Sequence, residues 1–261
     1  MTQGVLGGQT ALVTGGGTGI GRAVALDLAA AGARVVVCGR RLGPLEETVA
    51  AIVAAGGEAS ARACDLADPD AIEAMAAALL ADVGRVDILV NNAGFSSKVR
   101  SARYVGAEEW RAVMDVNTLG PAMLTRALLP AMIEAGRGDV VMISSVAALR
   151  PNVMSGAVYG PAKAAARAYM EVLASEVRKQ GVRCITVFPG EVDTPIMENR
   201  PLVPDAAARA TMMQAEDISA AVLMAVSLPR RTMVSEITMV AAVPRDQSAD
   251  LAAAMTKQTP D

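Results

Sequence analysis

The chain has 261 residues, 52% of them hydrophobic and 20% charged, with a formal net charge of −3. At about 150 residues per domain, that length allows one or two domains with a substantial buried core. It has no histidine and only three cysteines, which excludes a Ser-His-Asp triad, a Cys-His dyad, imidazole-bound zinc or haem, and a four-cysteine zinc site.

In chain order, short β-branched runs alternate with longer Ala-rich stretches of helical spacing. The predicted strands are Thr10–Thr14, Arg34–Cys38, Ala59–Cys64, Asp87–Asn91, Asp139–Ser144, Arg183–Val187 and Glu236–Val240. Between the first six lie predicted helices at Gly19–Ala31, Pro44–Ala55, Pro69–Val83 and Ala107–Ala135, and another follows at Val158–Gln180. Strands this apolar are expected to be buried on both faces, as parallel strands covered by helices are. Such alternation predicts a doubly wound parallel α/β sheet with right-handed crossovers, helices on both faces, in one domain over residues 1–242. Asp68-Pro69 reads as a helix start, and Gly32, Gly56 and Gly181 as helix stops. Thr194–Ala210 carries three prolines and reads as the core of an irregular lid, about residues 194–213. Residues 243–261 read as a mobile tail or an arm onto a neighbour.

Charges of both signs are scattered along the chain, which argues against a nucleic-acid surface. Cys38, Cys64 and Cys184 are odd in number and lack a CxxC pair, so a reducing, cytoplasmic compartment is expected. Met1–Thr10 shows no basic segment followed by an apolar run, so no signal peptide is expected. No stretch reaches about 18 uncharged apolar residues, so no membrane span is expected.

The segment Thr14-Gly-Gly-Gly-Thr-Gly-Ile-Gly21 follows the first strand and opens a helix. Glycines there let backbone N–H groups approach a phosphate, whose charge a helix N-terminus favours. The spacing is T-G-x-x-x-G-x-G through Gly15, Gly19 and Gly21, not G-x-G-x-x-G. A plain flexible turn has the same composition. Further on stand Asn91-Asn92-Ala93-Gly94, Tyr159-Gly-Pro-Ala-Lys163 and Pro189-Gly190 with Thr194. Together these four motifs, in this order and at these intervals, resemble the short-chain dehydrogenase/reductase family from Thr10 to about Val240.

That resemblance implies a Rossmann fold and a nicotinamide cofactor held by Gly15, Gly17, Thr18, Gly19 and Ile20 in the glycine turn. Asp65 and Leu66 would contact the adenine, although a lone Asp at a strand end also serves as a helix cap. Asn91 would tie strands together beside the cofactor, or be a turn residue. Ala93 and Gly94 would leave room for its ribose, and Pro189, Gly190, Val192 and Thr194 would border it. Where NAD-dependent relatives carry an acidic residue, this chain has Gly39 followed by Arg40 and Arg41. Arginine matches phosphate geometry, so NADP(H) is expected over NAD(H), with Thr18 adding a hydroxyl. The alternative is a solvated surface pair.

Tyr159 and Lys163 are four apart, on one helical face. A Lys⁺ about 4–5 Å from the phenol at an effective dielectric of 20 contributes roughly 3–4 kcal/mol, which lowers the phenol by about two to three pKa units. Such a pair out of context is often a surface contact. Within the family pattern Tyr159 becomes the acid–base group and Lys163 the residue that binds the nicotinamide ribose. Tyr104 and Tyr169 lack a lysine at this spacing and read as core or surface. Ser145 would hydrogen-bond the substrate oxygen, with Ser144 as the alternative because 14 positions separate Ser145 from Tyr159, one more than is usual. Asn117 would hold a water in a relay to Lys163, or satisfy backbone groups. Pro161 requires Tyr159 to lie at or just before a helix start.

Candidate pocket walls are Phe95-Ser96, Val146–Met154, Glu191, Ile196-Met197 and Met212-Met213, the methionines serving equally well as core filler. No cationic cluster here announces a carboxylate or phosphate substrate. The reading is an NADP(H)-dependent alcohol dehydrogenase/ketone reductase of a small alcohol or ketone with an apolar body, assembled as a homo-oligomer, dimer or tetramer, through its long helices. The rivals are a 3-oxoacyl-thioester reductase and, from another class, a dinucleotide-binding sensor without turnover.

Overall fold

In the computed structural model, which describes residues 4–258, seven parallel strands form one sheet in the order β3-β2-β1-β4-β5-β6-β7. They are β1 (Thr10–Thr14), β2 (Arg34–Gly39), β3 (Glu58–Ala63), β4 (Ile88–Asn91), β5 (Gly138–Ile143), β6 (Val182–Pro189) and β7 (Glu236–Met239). The inner strands are runs of Val, Ile and Leu because both of their faces are covered. Ala11, Val13, Ile88, Val90, Val141 and Ile185 face one apolar layer, and Leu12, Val36, Leu89, Val140 and Met142 face the other. The edges differ from the expected two-sided burial. Strand β3 is half-buried and β7 alternates exposed and half-buried residues, because an edge strand is paired and packed less fully.

On the first face lie α1 (Gly19–Ala30), α2 (Leu42–Ala54) and α8 (Ala215–Ser227); on the second lie α3 (Pro69–Val83), α5 (Gly120–Glu134) and α6 (Tyr159–Val177). Asp68 caps α3, its Oδ1 accepting from Asp70 N–H at 3.0 Å and Ala71 N–H at 3.2 Å. The predicted helix Ala107–Ala135 is in fact two, α4 (Ala107–Met114) and α5, joined by a π-helical turn at Asp115–Leu119. The physical reason is Pro121, which has no N–H to offer the carbonyl four residues back, so the ladder changes register just before it.

Helix α8 is an element that the predicted strand–helix pattern does not include. Its signal was present as a capping box, Gln214 with Asp217, whose Oδ2 accepts from Gln214 N–H at 2.8 Å, followed by Ile218, Val222, Ala225 and Val226 at helical spacing. The lid contains a 3₁₀ segment (Pro195–Asn199) and a short helix α7 (Ala206–Arg209). Both ends are anchored, with Asp193 N–H donating to Met213 O at 2.9 Å and Met213 N–H to Glu191 O at 3.1 Å.

The C-terminal segment is not a free tail. It folds back and forms α9 (Ser248–Met255), tethered by Arg245 and Gln247 to Glu191; its last three residues lie outside the described range. A second tether holds the opposite end of the sheet. Buried Arg183 grips Asp139 with two bonds of 2.6 and 2.9 Å and also donates to the carbonyls of Val226, Leu228 and Thr232. Among the described residues, no helix is long and apolar enough to cross a membrane.

Candidate active site

All seven strands point their C-terminal ends toward one cleft of about 1000 Å³, placed where strand order reverses between β1 and β4. Doubly wound sheets bind ligands at this switch point, because the two crossovers diverge there and leave a crevice. The glycine turn forms one wall. Gly15 and Gly19 have φ of +64° and +51°, left-handed conformations that only glycine adopts without strain. Gly21 is packed so tightly that a methyl group there would lie 2.3 Å from Gly15 O. The turn therefore delivers the N-terminus of α1, with its unpaired N–H groups, to the cleft. Thr18 precedes the helix but its side chain makes no cap bond, so the hydroxyl is available.

Gly15, Gly17, Thr18, Gly19 and Ile20 all line the cleft, as do Arg40, Arg41, Asp65, Leu66, Ala93, Gly94, Pro189, Gly190, Val192 and Thr194. Arg40 and Arg41 are exposed, and neither enters an ion pair with another described residue. Asp65 is not a helix cap, that role being Asp68's; its Oδ1 accepts from Ala67 N–H at 3.0 Å. These features fit a dinucleotide with an additional phosphate: a backbone cradle at one end, and two uncommitted guanidinium groups beside the ribose position.

Asn91 does not make the strand tie expected of it. Its Nδ2 donates to Thr125 Oγ1 at 3.0 Å, and Asn92, not Asn91, lines the cleft. The strand tie is Asn92, whose Nδ2 donates to Thr14 O at 2.9 Å and Gly15 O at 3.4 Å. Thr14 Oγ1 returns the contact by accepting from Asn92 and Ala93 N–H, each at 3.0 Å. Side chains alternate along a strand, so neighbouring asparagines face opposite ways.

The phenol of Tyr159 stands at the first residue of α6, which accommodates Pro161 in the first turn. Ser145 faces this phenol closely enough to lower its pKa; its Oγ donates to Pro189 O at 3.4 Å and accepts from Ala147 N–H at 3.1 Å. Ser144 is instead turned to the helix and donates to Lys163 O at 3.2 Å. In the loop before Tyr159, Ala157 N–H donates to Arg100 O at 2.8 Å, beside Gly156 at φ +89°.

Lys163 is 3% exposed, and its Nζ donates to Ile143 O at 3.0 Å and lies 5.6 Å from the Tyr159 ring centre. Burial pushes Lys163 down to about 8. Burial also pushes the Tyr159 phenol above its ordinary range, opposed by the Ser145 hydrogen bond and by the charges of Arg100 and Arg200. This changes the expected electrostatics. Burial thus works against the charged forms of both Lys163 and Tyr159, while the charges of Arg100 and Arg200 favour the phenolate. Lys163 can join them once acceptors such as ribose hydroxyls hold its proton. Asn117 sits in the π-helical turn, fully buried, with Nδ2 donating to Phe95 O and Val113 O at 2.9 Å each. Its Oδ1 has no donor among the described residues. A methyl group on Gly94 would touch both that oxygen and Lys163 Nζ, so Asn117 and Lys163 share one buried polar pocket.

Of the predicted pocket walls, Phe95, Ser96, Val146, Ala147, Arg150, Asn152, Met154, Glu191, Ile196 and Met197 line the cleft, whereas Met212 and Met213 are buried outside it. The absence of a cationic cluster is also overturned. Arg100 lines the cleft together with Arg200 and Arg245, which converge on Glu191 at 2.6 and 2.7 Å. Asp250 of α9 pairs with Arg245 at 2.8 Å. Burial disfavours the Glu191 carboxylate, but hydrogen bonds from Arg245, Arg200 and Gln247 outweigh it and hold Glu191 below the ordinary range. These residues lie far apart in the chain, and no local motif marks them.

The family profile described as short chain dehydrogenase matches residues 9–202. A short-chain dehydrogenase of Pseudocercospora fijiensis is 42% identical over 196 residues, 74% of this chain and 62% of that relative, so the match spans less than two thirds of its length. A metagenomic short-chain oxidoreductase in complex with NADP is 37% identical, with TM-score 0.78 over 90% of this chain and 98% of the other. An alcohol dehydrogenase of Thermococcus sibiricus complexed with 5-hydroxy-NADP is 26% identical, with TM-score 0.82 over 91% and 98%. Profile, relatives, sheet order and cleft agree: the chain belongs to the short-chain dehydrogenase/reductase family.

Proposed function

We propose that this protein is an NADP(H)-dependent oxidoreductase that interconverts a secondary alcohol and a ketone. The observation that carries this reading is the convergence of Ser145, Tyr159 and Lys163 in the same cleft whose far end presents Arg40 and Arg41. Similar proteins that contain NADP or a derivative of it support the cofactor assignment. The glycine turn and the N-terminus of α1 would hold the pyrophosphate, Arg40, Arg41 and Thr18 the 2′-phosphate, and Lys163 the nicotinamide ribose. When bound, the nicotinamide supplies or accepts the hydride.

The chain's own residues handle the proton and the developing charge. Ser145 Oγ donates a hydrogen bond to the substrate oxygen and fixes it against Tyr159. The Tyr159 hydroxyl gives its proton to the forming alkoxide during reduction and, as phenolate, takes it back during oxidation. The charges of Arg100 and Arg200 oppose the burial that disfavours this phenolate, and Asn117 Oδ1 offers an acceptor next to Lys163 for proton exchange. Free, buried Cys38, Cys64 and Cys184 suit a reducing, cytoplasmic setting. Exposed Trp110 and Val172 on α4 and α6 suit self-association as a homo-oligomer.

The test is a ketone and alcohol panel with NADPH and NADH, followed by nicotinamide absorbance, in wild type and Tyr159→Phe. The variant is expected to lose about 10²- to 10⁴-fold in turnover while still binding NADPH. Undiminished turnover in the variant overturns the assignment of the proton donor.

A further inference from the structure

The substrate end of the cleft carries charge that hydride transfer does not require. Arg100 is only 4% exposed, yet no described carboxylate pairs with it. Its Nη2 donates to Ser96 Oγ at 3.0 Å and Asn199 O at 2.9 Å, and its Nη1 to Ser155 O at 3.1 Å. All three acceptors are neutral, and Nε has no partner among the described residues. One Nη1 proton is left over as well, since a guanidinium has five donors.

An uncompensated buried charge is costly, and this protein neutralises its other deeply buried arginine, placing Arg183 on Asp139. Nor does the adjoining network supply the missing anion. Arg200 and Arg245 share Glu191 and Asp250, so the three arginines face two carboxylates and one positive charge remains. Holding three neutral acceptors calls for N–H groups, which an uncharged amide also has; the charge itself lacks a structural use. Arg100 lines the same cleft as Ser145 and Tyr159, and its charge favours the Tyr159 phenolate.

We propose that the substrate is a hydroxy acid, or the matching oxo acid in the reverse direction, whose carboxylate is held at Arg100 while its carbinol oxygen lies against Ser145 and Tyr159. This deepens the oxidoreductase reading and rests on it. In oxidation the carbinol C–H and O–H bonds break and a C=O bond forms. The hydride and its electron pair go to NADP⁺, the proton goes to the Tyr159 phenolate, and the carboxylate is unchanged.

The experiment compares 2- and 3-hydroxy acids of three to five carbons with their methyl esters, using NADP⁺ and wild type, Arg100→Met and Arg100→Lys. In wild type at least one acid is expected to exceed its ester in kcat/KM by about 10- to 100-fold, the range of a charged hydrogen bond. Arg100→Met is expected to collapse that ratio, and Arg100→Lys to restore part of it. Butyrate is expected to compete with an ester substrate in wild type, a measurement that needs no variant. Acids no better than esters, no competition by butyrate, or an equal loss on acids and esters in Arg100→Met overturns the proposal. Turnover of esters alone leaves the oxidoreductase reading standing; turnover of no acid, ester or simple ketone overturns both.

Discussion

Replacing Lys163 by methionine keeps most of the side-chain volume but removes an ammonium that is 3% exposed. Burial lowers Lys163 from an ordinary 10.5 to about 8. Between those values the unfolded chain binds a proton that the folded chain does not, so wild-type stability rises with pH across that window. Below pH 8 the full cost is present; at about 1.36 kcal/mol per pH unit the interval is worth roughly 3 kcal/mol. Between pH 7 and pH 10, linkage returns roughly 2–3 kcal/mol of it. Losing the Nζ bond to Ile143 O costs about 1 kcal/mol, leaving Lys163→Met about 2 kcal/mol more stable than wild type at pH 7. That advantage is expected to vanish by pH 10, because methionine does not titrate and the remaining groups cancel in the difference. Urea denaturation of both proteins at pH 7, 8, 9 and 10 measures it. A stability difference that stays constant over this range refutes the reasoning.

Arg40→Ala is expected to raise KM for NADPH about 10- to 100-fold while leaving NADH nearly unchanged; equal effects on the two cofactors refute the 2′-phosphate assignment. Gly94→Ala places a methyl group 2.5 Å from Asn117 Oδ1 and 3.1 Å from Lys163 Nζ. It is expected to cost about 1–3 kcal/mol in stability and at least about tenfold in kcat through displacement of Lys163, read from melting and steady-state kinetics. Arg183→Met strands buried Asp139 with, among the described residues, only the half-exposed Arg230 as its side-chain partner and frees three carbonyls. It is expected to destabilise the protein by about 3–5 kcal/mol in urea.

Features whose cause is local were legible in the chain. The glycine turn depends on φ angles at neighbouring positions, the Tyr159–Lys163 pair on helical spacing, and Pro161 on what a helix start tolerates. Alternation of strands and helices was enough for the layered sheet, since a strand buried on two faces must be apolar throughout. Even some failures had a local signal, as with the Gln214–Asp217 capping box and Pro121. Asn91 and Asn92 were harder, because the sequence says that they face opposite ways but not which one meets Thr14.

What only the tertiary structure decided is the chemistry of the substrate wall. Arg100 arrives from the loop after β4, Glu191 from the end of β6, Arg200 from the lid, and Arg245 and Asp250 from the folded-back C-terminus. No spacing rule relates positions 100, 191, 200, 245 and 250, which meet only because parallel strands carry all their following loops to one edge of the sheet. Composition excluded histidine chemistry and local motifs supplied a tyrosine in its place. The charges around that tyrosine, and with them the choice of substrate, depend on which distant loops the fold brings together.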